Sequence, residues 1–230
     1  MDDLKQQPGM EFFLASSVHD MKNSISMLIG GLEKTLSQVD PAVFPAYADM
    51  AHMMYETKRI NSNLIQLLTL YKVGHDLYPF DPQSQAVGDL LRVIGEQNMR
   101  LLSSQGISLE FCSDDDLYWE FDEDLVTGVI GNALNNAIHY TRDRIRLVAN
   151  VVDDFLEMRI EDNGKGYPQQ MLDAGADAMR GIDFKGGSTG LGLYFSVVAA
   201  KMHRNRGQCG EIRLENGGAW GGGCFVLRLP

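Results

Sequence analysis

The stretch Ile160-Glu161-Asp162-Asn163-Gly164-Lys165-Gly166 ends an apolar segment with a carboxylate and two glycines. A second stretch, Gly186-Gly187-Ser188-Thr189-Gly190-Leu191-Gly192-Leu193, runs directly into an apolar segment with helical spacing. The first is typical of a strand followed by a tight loop, where a carboxylate can accept a hydrogen bond from an adenine amino group. The second places backbone N–H groups at a helix N-terminus, where they can contact phosphate oxygens. Each stretch alone also fits an ordinary turn.

Asparagine recurs on the predicted helix 122–141, where Asn132 and Asn136 lie one turn apart on the same face. Asparagine is a poor helix former, so its repeated use needs another reason. An amide oxygen can ligate Mg²⁺, which also binds substrate phosphates. His139 lies on the same side and could contact a phosphate. A purely structural hydrogen-bonding cluster is the alternative interpretation of these residues.

The region after residue 82 has the pattern of a mixed α/β domain. Apolar alternation predicts strands and longer apolar segments predict helices, which together indicate a two-layer α/β sandwich. The predicted strands are 107–112, 145–152, 155–160, 211–214 and 224–229, and the predicted helices are 87–102, 122–141 and 191–202.

The first part of the chain has a different period. Heptad spacing of apolar residues over 14–39 and again over 50–71 predicts two amphipathic helices, which Pro41 and Pro45 separate. Such a hairpin can bury its apolar stripes by pairing with a second copy in a four-helix bundle. Periodicity does not distinguish a bundle used only for dimerisation from one that takes part in catalysis. The proline-containing segment 78–82 is typical of a linker.

His19 follows the heptad position Val18, so it is predicted to project from the side of the bundle towards solvent. An exposed imidazole is a candidate nucleophile, and the adjacent Asp20 could fix its tautomer. Asn23 is predicted to lie on the same face of the helix. An ordinary surface histidine explains these residues equally well when they are considered alone.

The bulk properties restrict the class of protein. A net charge of −11 argues against nucleic-acid binding. The three cysteines lack a CxxC spacing, which favours a reducing cytoplasm over a disulfide framework or a zinc site. No apolar run reaches the ~20 residues of a membrane helix. We therefore expect a cytoplasmic chain without a membrane segment, or the cytoplasmic part of a membrane-anchored sensor.

Other nucleotide-binding motifs are absent from the sequence: GxxxxGK[ST], GxGxxG, and the HRD and DFG elements of serine/threonine kinases.

In combination, the motifs that are present resemble those of the sensor histidine kinases over nearly the whole chain. HDMKN (19–23) resembles the phospho-acceptor box and NALNNAIHYT (132–141) the asparagine box. DNGKG (162–166) and GSTGLGL (187–193) resemble the two glycine boxes of a Bergerat-type ATP-binding domain, and residues 210–230 its closing strand pair.

The resemblance implies a fold and an activity. Residues 1–78 would be the dimerisation and histidine-phosphotransfer domain, an α-helical hairpin that forms a dimeric four-helix bundle. Residues 79–230 would be the catalytic ATP-binding domain, an α/β two-layer sandwich of the Bergerat ATPase type. The activity would be autophosphorylation of His19 with ATP and Mg²⁺, followed by relay to an aspartate of a response regulator receiver domain. The Asp20-x-x-Asn23 spacing also resembles the family's phosphatase motif.

The resemblance also assigns a role to each site residue. His19 would accept the phosphoryl group, Asp20 would act as its base or orienting group, and Asn136 would ligate Mg²⁺. Residues near the nucleotide would be Asn132, His139, Tyr140, Asp162 (the adenine contact), Gly164, Gly166, Lys185, Ser188, Thr189, Gly190, Leu191 and Gly192.

The chain departs from the family pattern in the lid between Gly166 and Gly187, which is short. Phe184 is the one candidate for the usual phenylalanine box, and Lys185 or Arg180 would supply the phosphate contacts. Two alternatives stay open: an ATPase of the same superfamily that acts as a conformational switch, and a non-catalytic dimeric scaffold. The HDMKN motif on a heptad helix argues against the first, and the intact glycine boxes argue against the second.

Overall fold

The computed structural model describes residues 10–40, 43–174 and 190–230. The chain divides into two compact units, Met1–Tyr78 and Pro79–Pro230. Each unit is described by itself below. Among the described residues, no helix is long and apolar enough to cross a membrane.

The first unit is a hairpin of two helices, α1 (Met10–Ser37) and α2 (Tyr47–Gly74). Helix α2 contains the predicted heptad segment 50–71, and α1 covers the segment 14–39 except for its last two residues. The ammonium group of Lys58 lies 2.7 Å from the carboxylate of Glu33, which pairs the C-terminal part of α1 with the middle of α2. Leu36 is buried in this hairpin, with 4% of its surface exposed.

The two apolar positions of each heptad differ in burial. On α1, Val18, Ile25 and Leu32 are half-buried, whereas Met21 and Leu28 are 52% and 62% exposed. The corresponding exposed position on α2 holds Met53, Ile60 and Leu67. Each helix therefore presents one apolar row to solvent. We call these five exposed residues the apolar stripe of the hairpin: Met21, Leu28, Met53, Ile60 and Leu67.

The second unit contains a five-stranded mixed sheet, with the strands in the order β2 (Ser108–Ser113), β4 (Arg144–Val152), β5 (Phe155–Asp162), β9 (Gly222–Leu229) and β8 (Glu211–Gly217). The β2–β4 pair is parallel and the other pairs are antiparallel. The five strands correspond to those predicted from the sequence, with ends shifted by a few residues.

Helices pack on this sheet: α3 (Val87–Ser104), α4 (Glu123–Tyr140) and α6 (Leu191–Met202), with a short α5 (Gln169–Ala174) beyond β5. Side chains alternate along β5, so Leu156, Met158 and Ile160 are buried in the core while Arg159 points to the opposite face. There Arg159 forms ion pairs with Glu157, Glu161 and Glu215. The arrangement matches the predicted α/β sandwich.

Two small sheets were not predicted from the sequence. β1 (Gln83–Ala86) pairs antiparallel with β3 (Tyr118–Phe121), and β6 (Arg204–Asn205) pairs with β7 (Gln208–Cys209). The sequence Gln83-Ser-Gln-Ala86 lacks the apolar alternation by which strands are recognised, because none of these side chains needs to enter the core.

Candidate functional site

Asp162 is the last residue of β5 and is 7% exposed. Its Oδ1 atom accepts hydrogen bonds from the N–H groups of Gly164 (2.6 Å) and Gly223 (3.2 Å). Because β9 lies beside β5, the second bond joins two neighbouring strands. Two backbone donors thus fix the orientation of the carboxylate, which is what a group that reads one edge of a base requires.

Three glycines lie next to Asp162 at positions where a Cβ atom would collide with neighbouring atoms. A Cβ atom on Gly164 would lie 2.1 Å from the carbonyl oxygen of Tyr140, and one on Gly222 would lie 2.3 Å from that of Asp162. A Cβ on Gly223 would approach Asp162 Oδ2 to 2.8 Å. Gly166 has a φ of +76°, which favours glycine on conformational grounds. The loop after β5 therefore packs against the C-terminal end of α4 with no room for side chains.

Asn163, which the sequence pattern gave no separate role, holds the loop that follows α4. Its Oδ1 atom accepts hydrogen bonds from the Thr141 hydroxyl group and from the backbone N–H groups of residues 142–144, at 3.0–3.2 Å. Its Nδ2 atom donates to the Asp143 carboxylate at 2.7 Å. One side chain thus anchors the end of the asparagine-bearing helix beside Asp162. Its place inside the DNGKG motif was the available signal.

Asn216 on β8 is a second residue that the sequence did not indicate. Its side chain accepts from the N–H of Tyr167 (2.6 Å) and donates to the carbonyl oxygen of Tyr167 (2.9 Å). A Cβ on Gly166 would approach Asn216 Oδ1 to 2.6 Å, so the glycine is required for this pairing. Burial, with a smaller effect from nearby Asp162, raises the pKa of Tyr167, so its hydroxyl group stays neutral.

The second glycine-rich stretch lies beside the asparagine helix. Gly190 has a φ of +66° and is the N-cap of α6, which begins at Leu191. A Cβ on Gly192 would come within 2.3–2.6 Å of the Asn132 side-chain amide. The structure therefore brings Gly192 and Asn132, which are far apart in sequence, into direct contact.

The remaining polar residues of α4 face outwards. Asn136 lies one turn after Asn132 and is exposed, as is Tyr140, whose exposed fraction is 62%. The rings of His139 and Tyr140 contact each other edge to face, with their centroids 4.8 Å apart. These side chains are thus accessible from solvent. Lys185, Ser188 and Thr189, together with Arg180 and Phe184, lie outside the described residues.

His19 lies in the other unit, on α1, and 59% of its side chain is exposed. Its Nδ1 atom lies 3.7 Å from Asp20 Oδ1 and 3.4 Å from Asn23 Nδ2. Both neighbours thus address the same ring nitrogen. The two neighbours favour different tautomers of the ring. A proton on Nδ1 would face the Asp20 carboxylate and leave the lone pair on Nε2, whereas the amide N–H of Asn23 can donate only to an Nδ1 that carries no proton.

The residues of the second unit fit a purine nucleotide with a divalent ion. The anchored carboxylate and the close backbone approach at Gly164 suit an adenine ring, and the half-buried helix N-terminus at Gly190–Gly192 suits phosphates. In the part of the chain that is described, no group of three or more His, Cys, Asp or Glu side chains forms a metal cluster. The amide oxygen of Asn136 is a suitable ligand for Mg²⁺, which binds such oxygens together with phosphate oxygens.

Comparison with known proteins gives matches along the chain. Residues 121–230 match the family described as histidine kinase-, DNA gyrase B-, and HSP90-like ATPase. Sensor protein SrrB of Staphylococcus aureus is 24% identical over 226 residues, which cover 95% of this chain and 37% of that protein. The chain thus spans a little over a third of the length of this curated relative.

Solved structures support the same fold. The histidine kinase AdeS of Acinetobacter baumannii superposes with a TM-score of 0.58 at 18% identity, covering 92% of this chain and 96% of that chain. Full-length ShkA in complex with AMPPNP gives a TM-score of 0.64 at 18% identity, over 94% of this chain and 45% of that one. Residues 121–230 thus match the model of the histidine kinase-, DNA gyrase B-, and HSP90-like ATPase family, and the chain is similar over 226 residues to a sensor protein.

Proposed function

We propose that this chain transfers the γ-phosphoryl group of ATP to its own His19 and passes it on to an aspartate of a response regulator receiver domain. The observation that carries the proposal is the exposed His19, flanked by Asp20 and Asn23, in a chain whose residues 121–230 match an ATPase family. A plain conformational ATPase has no need of this helical histidine. The match to a sensor protein over 95% of the chain supports the same proposal.

The second unit would bind and orient the nucleotide. Asp162 would accept a hydrogen bond from the adenine amino group, because its carboxylate is held in place by two backbone N–H groups. Asn136 would hold Mg²⁺, which neutralises phosphate charge when it is bound. Asn132 would hold the middle of α4 against the start of α6 through its contact with Gly192. His139 and Tyr140 would lie near the phosphates.

His19 would act as the nucleophile through Nε2, since Nδ1 is the nitrogen that lies beside Asp20 and Asn23. The Nε2 lone pair would form a bond to the γ-phosphorus while the bond from that phosphorus to the bridging oxygen breaks and ADP leaves. Asp20 would stabilise the Nδ1 proton and the positive charge that develops on the ring. Phosphoryl transfer depends chiefly on such positioning and charge stabilisation.

Incubation of the chain with γ-radiolabelled ATP and Mg²⁺ tests the proposal. We expect a label on the protein that is lost in acid and stable in base, as a phosphoramidate is. The label should not form when the metal is chelated before ATP is added. ATP hydrolysis without any bound label would instead support the conformational ATPase, and an absence of nucleotide binding would support the scaffold.

We further propose that the chain is a homodimer that buries its apolar stripe in a four-helix bundle. The stripe is the exposed half of an otherwise regular heptad pattern, and such rows are commonly covered by a second copy of the helix.

Leu28→Glu is expected to dissociate the dimer, because it places a charge in the middle of the stripe, where burial would leave it unpaired. The measurement is the molar mass in solution by sedimentation equilibrium. Met27→Glu is the matched control, since Met27 is 80% exposed and lies outside the stripe. A Leu28→Glu chain with the same dimer affinity as Met27→Glu would contradict the proposed interface.

A second activity, dephosphorylation of the partner regulator, is favoured by the position of Asn23, whose amide lies 3.4 Å from His19 Nδ1. An amide there could orient a water molecule towards a phosphoaspartate. Asn23→Ala is expected to keep the labelling rate of His19 within about twofold and to reduce phosphatase activity by roughly tenfold or more. The labelling rate is measured on the chain alone with radiolabelled ATP, and the phosphatase rate is measured on a purified, phosphorylated receiver domain. An equal loss of both would contradict the separate role of Asn23.

A further inference from the structure

The helices α4 and α6 run antiparallel and contact each other at three places, between the start of α4 and its middle. Near the proposed nucleotide site, Gly192 contacts Asn132, and in the middle a Cβ on Gly128 would lie 2.9 Å from the Phe195 ring. At the far end, Asp122 is the N-cap of α4 and His203 is the C-cap of α6. This far end lies outside the residues so far given a role in the reaction.

His203 connects the two helix ends through both ring nitrogens. Its Nε2 atom accepts a hydrogen bond from the backbone N–H of Asp122 at 3.0 Å, and its Nδ1 atom lies 2.8 Å from the carbonyl oxygen of Ala199. A carbonyl oxygen can only accept, so Nδ1 carries the proton and the ring is neutral. The residue is 5% exposed, and burial lowers the pKa of His203, which favours that neutral form.

The same junction holds the segment by which the chain enters the second unit from the hairpin. Asp122 Oδ1 accepts from the N–H of Leu125 (3.0 Å) and so caps α4, while Oδ2 accepts from the N–H of Asp81 (3.1 Å). The ring of Phe80 contacts the His203 ring edge to face, with centroids 5.1 Å apart. Phe80, Asp81, Asp122 and His203 form what we call the His203 junction.

We propose that His203 is a positioning residue whose neutral ring keeps the Phe80–Asp81 segment attached to the start of α4. This inference rests on the proposed kinase function for its effect on catalysis, but the junction itself is defined by contacts within the second unit. Protonated Nε2 would be a donor facing the N–H donor of Asp122, so that bond would be lost. The ring would then compete with Leu125 and Asp81 for the Asp122 carboxylate.

The charged and titratable groups around the ring are Asp122 on the α4 side and, along the adjacent groove, Tyr118, Glu120 and Arg204. Lys201 lies in the last turn of α6. Since the folded pKa of His203 is below its ordinary value, the junction is fully formed above the ordinary pKa of about 6.5. It is lost as the pH falls from there through the lowered value.

Two substitutions of similar size separate the roles of the ring nitrogens. In His203→Gln, the amide oxygen reaches the place of Nε2 and can accept from Asp122 without titrating. In His203→Asn, the amide reaches only the place of Nδ1, so the Asp122 bond is lost. Both remove the ring contact with Phe80 equally, which makes Asn the matched control for Gln.

The experiment uses the full chain and compares wild type, His203→Gln and His203→Asn over a pH series on both sides of neutrality. Three quantities are measured: amide hydrogen-exchange protection of Asp122 and Leu125, affinity for an ATP analogue with Mg²⁺, and His19 labelling rate at saturating ATP. Protection factors are corrected for the intrinsic pH dependence of exchange. The ratio of each variant's rate to that of wild type cancels any pH dependence of the transfer step that all three chains share.

Above neutral pH we expect protection of Asp122 in wild type and His203→Gln, and about fivefold or more less in His203→Asn, the scale of one lost hydrogen bond. As the pH falls, wild type should approach His203→Asn while His203→Gln changes little. Labelling rates should follow the same order. Affinity for the analogue should stay within about twofold, because the Asn132–Gly192 contact is unaffected.

Equal Asp122 protection in the Gln and Asn variants at every pH would overturn the proposed junction. Protection that differs as expected, with labelling rates that do not, would overturn its role as a positioning residue. If none of the three chains is labelled, the proposed kinase function fails, and the protection factors alone then decide whether the junction exists.

Discussion

Replacing His19 by glutamine is expected to abolish phosphoryl labelling of the chain while leaving nucleotide affinity within about twofold of wild type. Glutamine keeps a polar side chain of similar length but has no nitrogen lone pair that can attack phosphorus. The proposed nucleotide contacts all come from the second unit, so their affinity should not depend on this side chain. Because His19 is exposed, its replacement should not disturb helix packing.

The matched control for this substitution is His52→Gln. His52 is also an exposed histidine of the helical hairpin, and it lies on α2. The His52→Gln chain should be labelled on His19 at the wild-type rate. If His19→Gln retained more than a few per cent of the wild-type label, the phosphoryl group would reside elsewhere and the assignment of His19 would be wrong.

Asn136→Ala is expected to reduce the labelling rate by about 100-fold or more, at the upper end of what disturbing a metal's surroundings costs. The reason is the loss of the amide oxygen proposed to hold Mg²⁺, without which the phosphates are neither neutralised nor oriented. The side chain is exposed, so fold stability should change by less than about 0.5 kcal/mol. The reduction should therefore come from the metal rather than from unfolding.

A second readout distinguishes the proposed metal role from a loss of general binding. In wild type, affinity for an ATP analogue should rise when Mg²⁺ is added, and in Asn136→Ala this increase should be absent. Asn135→Ala provides the control, because Asn135 is the neighbouring amide on a different face of α4. An Asn136→Ala chain that keeps the Mg²⁺-dependent gain in affinity would contradict the proposed ligand.

Much of the architecture could be predicted because hydrophobic periodicity is a strong local signal. The heptads gave both helices of the hairpin, and alternation gave all five strands of the main sheet. What periodicity could not give is which apolar row of each helix is buried within one chain. Val18 and Met21 both occupy heptad positions, yet the first is half-buried and the second is 52% exposed. Only the three-dimensional packing of α1 on α2 separates them.

The motifs gave the residues of the site but not the contacts that position them. Asp162 and Gly164 were predicted from the chemistry of a strand end followed by a tight turn. The roles of Asn163 and Asn216 were not predicted, because each forms hydrogen bonds to backbone groups about 20 and 49 positions away in sequence. A local motif can include such a residue, but it does not show which distant groups the side chain contacts. Their identification required the folded chain.

The most direct test of the central claim is to locate the phosphoryl group itself. After incubation with ATP and Mg²⁺, the chain is digested with trypsin at neutral pH and the peptides are fragmented in a mass spectrometer. His19 is the one histidine in the tryptic peptide 6–22, so the fragments have to distinguish it only from Ser16 and Ser17. We predict one added phosphoryl group on His19 in that peptide. A phosphoryl group found only on another residue, or none on any peptide from a chain that binds ATP, would contradict the account.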